Sequence, residues 1–167
     1  MPRKSTREKK NIYFRSREEA NMTRAQASEA TFISESRIEK IEYDQLQANP
    51  QDVVAMADAY KKPSLCNYFC ANDCEIGQRT VPELKVQSLS RIVLSLLDNL
   101  NDLNAEKDRL IKIAADGEIT SDELADFVAI KKELSELSVT ADTLQLWIDN
   151  MFADGKLDKK EYDRLNG

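Results

Sequence analysis

Apolar positions recur at helical intervals along most of the chain, in two distinct styles. Up to Phe69 the repeats are short. Ile38 and Ile41 are three apart, Val53, Val54, Ala57 and Tyr60 make one stripe, and Leu65, Tyr68 and Phe69 make another. Polar residues of capping type punctuate them. Thr23 and Ser34 precede helical runs, where a hydroxyl accepts from the N–H groups that a first turn leaves unpaired. Asn21 suits the left-handed conformation that ends a helix, and Asn49-Pro50 opens another. The pattern predicts helices over 11–20, 24–30, 35–42 and 51–60, and a fifth from Pro63 through Phe69.

Beyond Glu83 the period lengthens. Leu89, Leu96, Leu103 and Leu110 recur every seven residues, with Val86, Val93 and Leu100 in companion positions and Lys107 as a polar interruption. This heptad predicts one coiled-coil or bundle helix over 83–114. Ile92 and Leu97 widen the stripe, so the helix is expected to touch more than one neighbour. A second pattern (Leu124, Phe127, Ile130, Leu134, Leu137, Ala141, Leu144, Ile148, Met151) predicts a long helix that continues through Ser138-Val139-Thr140 despite their weaker propensity. The short turn at 115–120 implies an antiparallel hairpin, with Trp147 as a packing anchor. A hairpin alone leaves apolar surface uncovered. A homodimer is therefore expected, two chains forming a four-helix bundle with Val86, Leu89, Val93, Leu96, Leu100, Leu103 and Leu110 as dimerisation positions. Asp158, with Glu161 three residues later, caps a last short helix to about Leu165. The predicted organisation is all-α: a basic flexible arm at 1–10, a head at 11–77, a linker at 78–82, and a helical hairpin for dimerisation at 83–167.

Composition narrows the function classes. The 167 residues include only four Gly and four Pro, which speaks against a turn-rich β protein. No stretch approaches the roughly 18 apolar residues of a membrane span. No apolar signal core follows the basic start, so a cytoplasmic protein is expected. Histidine is absent, which removes the commonest general base and metal ligand and with them every Ser/His/Asp or Cys/His arrangement. No Gly-rich phosphate loop is present. A non-enzyme is expected.

The net charge of −6 hides an uneven distribution. Arg3, Lys4, Arg7, Lys9, Lys10, Arg15 and Arg17 face a single acid, Glu8, whereas residues 18–60 hold nine acids against Arg24, Arg37 and Lys40.

The succession M-T-R-A-Q-A-S-E-A-T-F-I-S-E-S-R-I-E-K-I-E at 22–42 resembles the Cro/phage-repressor helix-turn-helix domain, the XRE family. R-E-E-A before it and N-P-x-x-V-x-x-M-A-x-A-Y at 49–60 extend the likeness over about 11–77. The resemblance implies a five-helix lambda-repressor-like head that binds double-stranded DNA in transcriptional regulation. Its third helix would enter the major groove while the second crosses the backbone. On that pattern Ser34, Glu35, Ser36, Arg37 and Lys40 face base edges. Arg37 is placed to fork onto a guanine, and Glu35 to accept from a cytosine amine. Arg24 and Gln26 would hold phosphates. The basic arm (Arg3, Lys4, Arg7, Lys9, Lys10) would supply the cations that the acidic head lacks. Two features depart from the pattern. Phe32 occupies a turn position where relatives often carry Gly, so the turn is expected to be reshaped or widened, and the third helix is acidic. The same acidic head would suit an adaptor that docks a protein partner, through head or tail.

Two further segments invite chemistry. Cys66, Cys70 and Cys74 are spaced one helical turn apart. They fit burial as small hydrophobes, a zinc or iron–sulfur site with a fourth ligand from Asp73, Glu75 or a partner chain, or a thiol sensor. With three ligands and no His, no metal or cofactor is assigned. D-G-E-I-T-S-D-E (116–123) and D-G-K-L-D-K-K-E (154–161) resemble the second half of an EF-hand loop. Lys112, Ala114, Asn150 and Phe152 stand where leading ligands are needed, so both are read as helix ends and caps.

Overall fold

The computed structural model describes residues 10–115 and 117–166, and these are all-helical, with ten helices and no strand. The chain divides into two compact units, with the breaks between Glu83 and Leu84 and between Ile148 and Asp149.

In the head, α1 (Ile12–Glu19), α2 (Arg24–Thr31), α3 (Glu35–Glu42), α4 (Pro50–Ala59) and α5 (Ser64–Asn72) follow the predicted order. The starts of α1 to α4 are set by caps. Asn11 accepts from the Phe14 N–H, Ser34 from the Arg37 N–H, and Thr23 and Asn49 each form a reciprocal capping box, with Gln26 and Asp52. Asn21 ends the first helical segment with a positive φ of 55°. Ala27, Ile38, Ile41, Val53, Met56 and Leu65 are almost wholly buried and form the core, each large side chain contributing about 1.5–3 kcal/mol.

One element was not predicted. A single turn, α6 (Gly77–Thr80), lies where a boundary glycine and linker are expected from sequence. Gly77 is buried, and a Cβ there would stand 2.0 Å from the Cys70 carbonyl oxygen. Only glycine lets this turn pack so closely on α5.

The second unit departs from the expected single helix over 83–114. Helix begins only at Leu89, after an extended Ser88, so Val86 lies before it rather than on its heptad face. It then breaks at Glu106 (φ −90°, ψ 0°) into α7 (Leu89–Ala105) and α8 (Lys107–Ala114). α9 (Leu124–Ala153) runs unbroken for 30 residues through Ser138-Val139-Thr140. Thr140 and Thr143 return their hydroxyls to the carbonyls of Glu136 and Val139, which satisfies the polar atoms without disrupting the helix. Asn99 donates to Thr140 at 2.8 Å and Arg109 pairs with Asp126 at 3.4 Å, so contact order reverses between the two strands of helix.

Within one chain only part of the heptad stripe of α7 and α8 is covered. Ile92 and Ile113 are buried and Leu96, Leu103 and Leu110 half-buried, while Leu89, Val93, Leu94, Leu97, Leu100 and Ile111 are exposed. Gly117 and Gly155 take positive φ after helices, as their places in the repeated segments predict. Thr120 and Glu123 bond to each other before α9. Asp158 accepts from the Lys160 and Glu161 N–H groups to start α10 (Lys159–Asn166). Near the chain's end the Phe152 and Tyr162 rings meet edge-on at 5.1 Å.

Candidate nucleic-acid interface

The helix-turn-helix unit is assembled from below by Glu42, which is 1% exposed. Its carboxylate accepts from Arg17 Nε at 2.5 Å and from Arg24 Nε at 2.9 Å. Arg17 also donates to the Met22 carbonyl at 2.6 Å and lies over the Phe14 ring. Arg24 lies over Tyr43 and reaches Glu39 at 3.4 Å. One buried carboxylate therefore ties α1, α2 and α3 together, with Arg17 buried against Phe14 and Arg24 part-exposed over Tyr43. The Tyr60 hydroxyl is pushed up to about 12, by burial first and then by the nearby Glu42 charge.

The turn between α2 and α3 alternates inward and outward. Thr31 is buried, donates its hydroxyl to the Ala27 carbonyl at 2.7 Å and accepts the Ile33 N–H at 3.2 Å. Ile33 is buried, and Ser34 is the exposed cap of α3. Phe32, between the two inward residues, takes the left-handed conformation at φ 58° and stands 95% exposed. The expected reshaping of the turn therefore does not occur. The inward pulls of Thr31 and Ile33 hold the backbone in the form that suits glycine, and the aromatic residue carries the strain, on the order of 1–3 kcal/mol.

On α3, Ile38, Ile41 and Glu42 face inward, which leaves Ser34, Glu35, Ser36, Glu39 and Lys40 exposed. Arg37 is engaged within the protein. Its Nη2 lies 2.6 Å and its Nε 3.1 Å from Asp52 Oδ2, which also accepts the Asn49 N–H. Burial works to raise the Asp52 carboxyl, but the Arg37 fork and the Asn49 N–H outweigh it and hold the group below its ordinary range. Gln26 is exposed, with its side-chain oxygen on the Thr23 N–H at 2.9 Å.

The structure thus gathers Ser34, Glu35, Ser36 and Lys40 on one exposed helix and gives Arg24 and Arg37 protein carboxylates as partners. Sequence reasoning missed Asp52 and Glu42. Both had a signal: Asp52 stands three residues after Asn49, and Glu42 continues the Ile38–Ile41 face by helical spacing. Of the basic arm, Lys10 lies 4.1 Å over the Phe14 ring and 3.8 Å from Glu18, while Arg3, Lys4, Arg7 and Lys9 fall outside the described residues. The three cysteines are half-buried free thiols packed against the head core. Burial, then Asp58 and Cys70, pushes the Cys66 thiol up. Among the described residues no group of three or more Cys, Asp or Glu is placed to hold a metal ion, and no helix is long and apolar enough to cross a membrane.

Residues 15–60 match a family defined as a helix-turn-helix domain, a segment that runs from the middle of α1 to just past the end of α4. That domain class is one of DNA-binding regulators. No curated protein and no solved structure matches the chain.

Proposed function

We propose that this protein is a non-enzymatic, cytoplasmic DNA-binding regulator of transcription that works as a homodimer and represses by occupying its operator. The observation that carries the reading is the helix-turn-helix match, joined to a third helix whose outward residues are all polar or charged, Ser34, Ser36 and Lys40 beside the acidic Glu35 and Glu39, while its inward face is sealed by Ile38 and Ile41. Ser34, Glu35, Ser36 and Lys40 would meet base edges and nearby phosphates, and the basic arm would add phosphate contacts. Arg37, forked onto Asp52, braces α3 against α4 and so positions the readers; Arg24 and Gln26 hold α2. Dimerisation is supported by the exposed stripe of Val93, Leu97 and Leu100 on α7, whose three- and four-residue spacing is that of a second heptad seam. No cofactor is assigned, and the cysteines are read as packing residues.

A protein-docking head is the second reading, favoured by the pairing of Arg24 and Arg37 with carboxylates, which leaves the head's duplex-facing charge low. Selection of duplexes from a random DNA library by the whole chain, at low and moderate salt, decides between them. An enriched palindrome, with Lys40→Ala weakening binding and lowering the salt slope by about one, is the expected result. No enrichment at either salt overturns DNA binding in favour of docking.

A further inference from the structure

Phe32 is the most exposed large hydrophobic residue of the described chain, and its direction is imposed. Thr31 and Ile33 are anchored inward on either side, through the hydroxyl bonds to Ala27 and Ile33 and through burial. The ring therefore projects from the turn on a backbone that cannot swing it back into the core. It stands two residues before α3, beside Ser34, Glu35 and Ser36. It is also the one large apolar side chain exposed in its own segment. The exposed residues from 29 to 36 are Glu29, Ala30, Phe32, Ser34, Glu35 and Ser36, so no other large apolar side chain of the segment extends the patch. A protein interface concentrates apolar and aromatic groups at its centre. A single ring among small hydroxyls and two carboxylates, Glu29 and Glu35, matches instead a surface of polar edges with isolated methyl groups, which is what the major groove presents.

We infer that Phe32 is a specificity-determining residue that reads the C5 methyl of a thymine in the major groove, next to the base edges met by Ser34, Glu35 and Ser36. This rests on the DNA-binding reading and adds to it. The hydroxyls and the carboxylate distinguish bases by hydrogen bonds, and none of them recognises a methyl. The ring supplies that contact without reorganising, because the turn already points it outward. Each half-site would then hold one thymine whose methyl matters, adjacent to the bases read by the start of α3.

The test uses the whole chain and a duplex recovered by the selection above, at one fixed salt. Each thymine is replaced in turn by deoxyuridine, which removes the methyl and nothing else. Wild-type protein is expected to lose about three- to fivefold in affinity at one position per half-site, the worth of one buried methyl. Phe32→Ala and Phe32→Gly should bind thymine and deoxyuridine duplexes equally. Phe32→Gly, which suits the left-handed turn, should melt at or above the wild-type temperature, so lost discrimination is not lost fold. Indifference of the wild type to deoxyuridine at every position overturns the inference while leaving DNA binding intact. Discrimination retained in Phe32→Ala does the same and turns the ring towards a protein partner. Absence of any selective duplex overturns it together with the reading beneath it.

Discussion

Asp52 shows how one side chain can do two jobs in this head. As the third residue of α4 it completes the capping box with Asn49, and its carboxylate also takes the Arg37 fork of α3. Because its pKa is held below the ordinary 3.8, the folded state binds its proton less readily than the unfolded chain. The stabilisation is therefore complete above the ordinary carboxylate range and is lost as pH falls through the lowered value. Urea midpoints of wild type and Asp52→Asn should differ most near pH 7 and converge as pH falls through the lowered Asp52 value. A gap that stays constant over that range would show that the charge of Asp52 is not what braces α3. Glu42 is buried more deeply and shared by two arginines, and it holds the three helices in register from beneath the surface that α3 presents.

Close packing governs the elements. The α5–α6 contact exists because Gly77 has no Cβ where the Cys70 carbonyl passes. Gly77→Ala forces backbone apart rather than displacing a flexible side chain, and should cost about 1–3 kcal/mol, read as a lower thermal midpoint for the intact chain. An unchanged midpoint would mean that α6 is held by other contacts. In the second unit the break at Glu106 separates α7 from α8. The unbroken α9 runs through Ser138-Val139-Thr140, with the Thr140 hydroxyl satisfied by the Glu136 carbonyl one turn earlier.

At the scale of the whole molecule, the second unit exposes more large apolar surface than a solitary surface helix needs. Leu94 is 63% exposed and Leu97 52%. If Val93, Leu97 and Leu100 form the seam between two copies, charges there should abolish pairing. The double substitution Leu97→Glu/Leu100→Glu should convert dimer to monomer in sedimentation equilibrium while the helical signal persists, since both side chains lie outside the buried seam. DNA binding should then weaken steeply, because two half-sites are no longer addressed together. A variant that remains dimeric would place the interface elsewhere.

The all-helical class, the order of the five head helices and their caps were legible in the sequence because each depends on local spacing. Thr23, Ser34, Asn49 and Asp158 each sit one residue before their helices, and the apolar repeats set which faces turn inward. The likeness of 22–42 to a helix-turn-helix rested on the same local register. Three things were decided only by tertiary structure. Arg37 and Arg24 look free in sequence, and their partners, Asp52 and Glu42, lie fifteen and eighteen residues away, reached only once the helices pack. Of the heptad positions, Leu96, Leu103 and Leu110 are half-buried within one chain, Val93 and Leu100 are exposed and Val86 lies before the helix, while the buried positions are Ile92, which widens the stripe, and Ile113. A stripe wider than one seam does not specify which flank meets the neighbouring helix. Phe32 looked like a residue that would deform the turn. Local propensity disfavours its left-handed backbone, but the burial of Thr31 and Ile33 on both sides outweighs that preference, and only the packed head contains those contacts.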